Sequence, residues 1–244
     1  MAPMSLPVSA VDELLPLPAG NGIFIAATGT DVGKTFVTAL LIKAWRDAGL
    51  AAGYYKAALS GAEFVDGKWV AGDAEYVRRV AGLPDPADAL VTYVYREAVS
   101  PHLAAQHEGN PVELSRVLAD YRQVQIRHPF VFVEGSGGII CPLRYDDTAK
   151  VFLTDIIRLL NLSVVIVAPA GLGTINSTLL TVEHARQKNI LVRGVILNRY
   201  TDSAMERDNV LMIERLAEVP ILAKVAPNAT AIALDQAAIR TIGG

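Results

Sequence analysis

Several short segments of this chain are apolar at every position rather than at every second one, as in Val131-Phe132-Val133 and Val164-Val165-Ile166-Val167. A strand with one wet face alternates, so such runs predict strands covered on both faces, the habit of a parallel sheet packed between helices. Strand candidates at 23–26, 52–56, 130–134, 163–168, 192–197 and 221–225 alternate with helix candidates at 34–48, 73–81, 113–127, 150–160, 176–188 and 204–217, with a last one near 231–240. In the first helix Val37, Leu40, Leu41, Ala44, Trp45 and Ala48 share one face. The expected fold is α/β, a single-domain doubly wound and mostly parallel sheet over residues 21–244. Residues 1–20, which carry Pro3, Pro7, Pro16 and Pro18, read as a loosely ordered N-terminal arm.

Of 244 residues, 52% are hydrophobic and 19% charged, enough to bury a core and too apolar for disorder. Lys plus Arg number 22 against 25 Asp plus Glu, with no basic run, which argues against a nucleic-acid partner. No apolar stretch approaches the roughly 18 residues of a membrane span. The first 20 residues carry Asp12 and Glu13 and lack the basic start of a secretory leader, so a cytoplasmic protein is expected. One cysteine, Cys141, excludes an internal disulfide and reads as a buried neutral thiol.

Open parallel sheets bind ligands beyond the carboxyl ends of their strands. The first strand candidate leads through Ala27-Thr28-Gly29-Thr30-Asp31-Val32-Gly33-Lys34-Thr35 into an amphipathic helix, the setting of a phosphate loop. Backbone N–H groups of Thr30, Asp31, Val32 and Gly33 would surround the phosphates of a nucleotide, Lys34 would reach the terminal ones, and the Thr35 hydroxyl would bind Mg²⁺. The strict G-x-x-x-x-G-K-[ST] pattern fails, because Thr28 stands five residues before Gly33; a plain βα turn is the alternative.

Other strand exits add charge. Lys56 ends the second strand candidate, either neutralising an anionic substrate or standing solvated at a strand end. Asp73 opens a helix, as an N-cap or as a cation ligand. Glu134 follows a buried apolar strand where a carboxylate needs a partner, which favours a Mg²⁺ role. His102, His107, His128 and His184 show no zinc spacing, and His102 either lines the cleft or packs elsewhere. Gly135-Ser136-Gly137 lacks the frame of a serine nucleophile. The turn leading into Gly173-Thr174-Ile175-Asn176 offers further helix-start N–H donors, for a carboxylate or for the turn alone.

The order and spacing of these pieces resemble the dethiobiotin synthetase family over about residues 22–228. The resemblance rests on Thr30-Asp31-Val32-Gly33-Lys34-Thr35, Tyr55-Lys56 with Ser60-Gly61, Gly72-Asp73-Ala74, Ser100-Pro101-His102-Leu103-Ala104-Ala105, Val133-Glu134-Gly135-Ser136-Gly137-Gly138, Leu172-Gly173-Thr174-Ile175-Asn176 and Leu197-Asn198. The family's first loop glycine falls on Ala27, Gly29 stands where an acidic or amide residue is usual, and Ala57 replaces a proline.

The resemblance implies a P-loop NTPase type of sheet and an ATP-dependent cyclo-ligase. In that reaction 7,8-diaminopelargonate takes up CO₂ as a carbamate, the carbamate attacks the γ-phosphate of MgATP, and the second amine closes the ureido ring. It implies catalytic roles for Lys34 and Lys56, and a Mg²⁺ shell of Thr35, Asp73 and Glu134. Thr30, Ser60 and Gly137 would lie near the diamine or carbamate, and Asn198 against adenine. Gly173 and Asn176 of a neighbouring copy would take the substrate carboxylate, hence a homodimer. A partitioning-type ATPase switch shares the sheet, but its signature lysine would fall on Gly29. An amide-forming ligase of the cobyrinate type needs a glutaminase domain for which the length leaves no room.

Overall fold

The computed structural model describes Leu17 and residues 21–244. The N-terminal arm expected at 1–20 therefore lies outside the described residues, apart from Leu17. In chain order the elements are β1 (Gly22–Ala27), α1 (Lys34–Asp47), β2 (Gly53–Leu59), β3 (Glu63–Val65), β4 (Lys68–Val70), α2 (Gly72–Ala81), β5 (Val91–Val94), α3 (Pro101–His107) and α4 (Leu114–Arg127). There follow β6 (Val131–Glu134), β7 (Pro142–Tyr145), β8 (Lys150–Phe152), α5 (Leu153–Leu159), β9 (Val164–Pro169), α6 (Thr174–Gln187), β10 (Val192–Asn198), α7 (Ala204–Ala217), β11 (Ile221–Val225) and α8 (Gln236–Gly243).

Seven strands form one parallel sheet in the order β11-β10-β9-β1-β6-β2-β5. Because side chains alternate along a strand, β1 sends Phe24 and Ala26 to one core and Ile23 and Ile25 to the other. The first core is closed by α4, α5, α6 and α7 through Val117, Ile156, Val182 and Ile213. The second is closed by α1, α2 and α8 through Leu41, Val77 and Ile242. Trp45 seats α1 by stacking on Phe130 at 4.8 Å and meeting Phe132 edge-on at 5.6 Å. Two covered faces explain why the strands are apolar throughout.

The sheet has one strand more than the sequence candidates. The short edge strand β5 pairs with β2 through Lys56↔Val91 and Ala58↔Tyr93. The helix expected at 150–160 starts only at Leu153, because residues 150–152 pair with β7 and Asp155 accepts the Phe152 N–H at 2.8 Å. The last helix begins at Gln236 rather than near 231, where Asp235 accepts the Ala238 N–H at 2.7 Å. Lys56 is not at the end of its strand: β2 runs on to Leu59. It lies in register with Glu134, the last residue of β6, and so still stands at the carboxyl edge set by the central strands. Among the described residues no helix is long and apolar enough to cross a membrane.

Candidate active site

The loop at 28–33, between β1 and α1, is shaped by backbone that few side chains adopt: Asp31 has φ +59° and Gly33, the N-cap of α1, has φ +84°. Asn198, the last residue of β10, and Arg199 just after it hold the loop down. Asn198 donates from Nδ2 to the Val32 carbonyl at 2.9 Å, and Arg199 donates to the Asp31 carbonyl at 2.8 Å. The buried Asn198 Oδ1 has no hydrogen-bond partner among the described residues.

A Cβ on Gly33 would stand 2.2 Å from Asn198 Nδ2, in a conformation already unfavourable for an L side chain. Gly33→Ala is therefore expected to cost about 1–3 kcal/mol. It should also dislodge the Asn198 tether. A lower melting temperature together with at least tenfold weaker ATP binding in a nucleotide titration, about 1.4 kcal/mol per factor of ten, would bear this out.

Below the loop, six side chains from four elements converge. Glu134 is fully buried at the end of β6, and its Oε1 accepts from the Thr35 hydroxyl at 2.7 Å, Lys56 Nζ at 2.9 Å and Lys34 Nζ at 3.5 Å. Lys56 also pairs closely with Asp73 in the first turn of α2. The other carboxylate oxygen, Oε2, accepts from the Tyr54 hydroxyl at 3.0 Å. Burial alone would push the Glu134 carboxyl up, but the ammonium groups of Lys56 and Lys34 outweigh it and hold it at about 2. Burial lowers Lys34, with Lys56 acting in the same direction and Glu134 and Asp73 opposing. For Lys56 burial also lowers, yet Glu134 and Asp73 outweigh it and raise the group above its ordinary value. The formal charges of Lys34, Lys56, Asp73 and Glu134 cancel.

The structure brings most of the expected residues to one cleft of about 300 Å³, lined by Thr30–Thr35, Lys56, Ser60, Asp73 and Gly137 among others. Glu134 lies beneath its floor. Asn198 lies behind the loop. Gly173 and Asn176 lie elsewhere in the same chain and are exposed; Asn176 faces a separate depression with Thr28, Cys141 and Leu180.

Asp73 does not take the N-cap role, since α2 begins one residue earlier with Ala71 as N-cap and no side-chain cap bond. That frees its carboxylate for Lys56. His102 pairs with Ser100 at 2.8 Å and does not line the cleft. Cys141 is only partly buried, and burial pushes its thiol up to about 11, so it is neutral as expected.

Two residues of the site were given no role by the sequence. Ser136 donates to the Ala58 carbonyl at 2.5 Å and ties the exit of β6 to β2. Tyr54 is legible in principle: it stands two residues before Lys56, hence on the same strand face, and a buried phenol needs a partner.

A family model described as an AAA domain matches residues 21–233. The chain is 49% identical over 223 residues to a protein of Brachyspira hyodysenteriae named ATP-dependent dethiobiotin synthetase BioD, covering 91% of this chain and 98% of that one. It is 45% identical over 202 residues to a protein of that name from Clostridium botulinum, covering 82% and 88%. Among solved structures it resembles the MinC:MinD cell division protein complex of Aquifex aeolicus with a TM-score of 0.53 at 12% identity, covering 92% of this chain and 86% of that one. At that identity the likeness is one of fold.

Proposed function

The chain belongs to the ATP-dependent dethiobiotin synthetase family, and from that premise we propose that it closes the ureido ring of dethiobiotin from 7,8-diaminopelargonate, CO₂ and ATP, releasing ADP and phosphate. The observation that carries the reading is the second buried lysine. Lys56, from β2 rather than from the phosphate loop where a partitioning-type switch carries its extra lysine, stands beside the loop lysine Lys34 in one cleft.

The chemistry brings anions together: the carbamate, the γ-phosphoryl group and the departing ADP. Lys34 opens α1 directly after the loop, and its pairing with Glu134 is long at 3.5 Å, which leaves it available to the β- and γ-phosphates. The loop backbone and the start of α1 add fixed N–H donors. Lys56, held between Glu134 and Asp73, is a preorganised charge for the carbamate and for negative charge developing during transfer. Thr30 and Ser60 line the same cleft and supply hydroxyls for the diamine or carbamate, with Gly137 leaving room beside Thr30. Asn198 has its amide N–H₂ engaged by Val32, so Oδ1 offers an acceptor, the complement of the exocyclic amine of adenine.

Mg²⁺ fits the donor set. The oxygens of Thr35, Asp73 and Glu134 cluster around the ammonium ends of Lys56 and Lys34, a neighbourhood already suited to positive charge. Among the described residues no group of three or more His, Cys, Asp or Glu could cage a metal, which suits an ion bound by one or two carboxylates together with substrate phosphates. When bound, it would neutralise charge on the β- and γ-phosphates. Asp73→Asn is expected to raise the Mg²⁺ concentration for half-maximal activity about tenfold or more. Its melting temperature should fall only slightly, because Asp73 is partly exposed, caps nothing and leaves Glu134 as the partner of Lys56. Mg²⁺ titrations and thermal melts on the same sample decide between this and a structural role.

Gly173 and Asn176 are not among the residues that line the cleft of their own chain. We therefore read the enzyme as a homodimer in which a second copy presents them to the substrate carboxylate. The exposed Leu172 and Leu180 nearby are apolar surface that such a contact would cover. The reaction is tested by incubating the protein with MgATP, bicarbonate and the diamine and measuring dethiobiotin by mass; diamine-independent ADP release without that product would refute it.

A further inference from the structure

Glu134 is gripped unevenly. Three donors, from Thr35, Lys56 and Lys34, meet Oε1, and a single donor, the Tyr54 hydroxyl at 3.0 Å, meets Oε2. Contacts on one oxygen locate a point, but they leave the carboxylate plane free to turn about it. The terminal torsion of a glutamate is broad, so intrinsic preference does not fix that plane either. Tyr54 supplies the second point. It comes from β2, which lies inside the sheet between β6 and β5, and its side chain is wholly buried in the core against α1 and α2. A ring packed in this way has nowhere to go.

We propose that Tyr54 is a positioning residue, whose hydroxyl fixes the orientation of the Glu134 carboxylate and thereby presets the cation position flanked by Thr35, Asp73 and Glu134. Tyr54 does not line the cleft and touches no substrate position. Its effect is carried wholly through Glu134. The inference rests on the cation reading of that cluster, and its test separates the two.

The probe is Mn²⁺, whose binding to the protein–ADP complex is read directly by electron paramagnetic resonance. Tyr54→Phe keeps the ring and removes only the hydroxyl, and it should weaken Mn²⁺ binding by about 10-fold, the lower end of the range for groups that orient a ligating carboxylate. The KM for ATP should change less than threefold, with the loss appearing in kcat and in the Mn²⁺ constant; a merely structural role would move the melting temperature and not that constant. Asp73→Asn runs alongside. If Asp73→Asn weakens Mn²⁺ binding and Tyr54→Phe does not, Tyr54 has no positioning role and the cation site stands. If neither does, the cation reading fails and takes this inference with it.

Loss of the hydroxyl leaves a buried carboxylate oxygen without its donor, so a second measurement avoids dependence on the variant's folding. With 3-fluorotyrosine placed at position 54 alone, the ¹⁹F resonance should shift when Mg²⁺ is added to the ADP complex. The shift should shrink in the Asp73→Asn background. An unchanged resonance would overturn the proposal.

Discussion

Lys56→Ala is expected to bind MgATP and yet form dethiobiotin about 10²-fold more slowly or worse, the scale for removing one preorganised charge from a transition state. The expectation follows from what holds Lys56. Its ammonium is buried, bonded to Glu134 at 2.9 Å and paired with Asp73, so it points into the cleft without the cost of being ordered during the reaction. Nucleotide binding leans on the loop and Lys34, which the substitution leaves in place. The variant also loses the main partner of a buried carboxylate, a change that costs about 3–5 kcal/mol where no other cation remains. Lys34, Thr35 and Tyr54 still contact Glu134, so the melting temperature should fall without loss of the fold. An ATP titration and a product assay on one preparation check both halves of the expectation.

Lys34→Ala should have the opposite pattern, with ATP binding and turnover failing together. Lys34 is the only side-chain cation of the loop at 28–35, and its weak hold on Glu134 leaves it for the terminal phosphates. A loss of about 10²–10³-fold in kcat is expected. A variant that bound ATP normally and made dethiobiotin at the original rate would remove the loop from the chemistry.

Much of this site is legible in the amino-acid sequence. Continuous apolar runs identify buried strands because a covered sheet face admits no alternation, and that places the loop, Lys56 and Glu134 along one edge. The helix-starting loop is readable because Gly33 and Lys34 sit where only a turn into a helix suits them. What could not be read depends on partners distant in the chain. Whether Asp73 caps its helix or pairs with Lys56 turns on where α2 begins, and a shift of two residues decides it. The depth of Lys56 in β2 depends on β5, a strand of four residues that pairs only with β2 and has too short a pattern to stand out. Tyr54 and Ser136 act through hydrogen bonds spanning 80 and 78 residues, to which local periodicity is blind. Gly173 and Asn176 are recognisable as a motif, but within one chain they do not line the cleft.

In the reaction proposed above, a carbamate oxygen attacks the γ-phosphorus, the bond to ADP breaks, and attack of the second amine on the carbamate carbon then releases phosphate carrying that oxygen. Turnover in ¹⁸O-labelled bicarbonate, with dethiobiotin and inorganic phosphate both analysed by mass, tests this directly. The account predicts label in the phosphate in proportion to the dethiobiotin formed. Unlabelled phosphate accompanying dethiobiotin would contradict it.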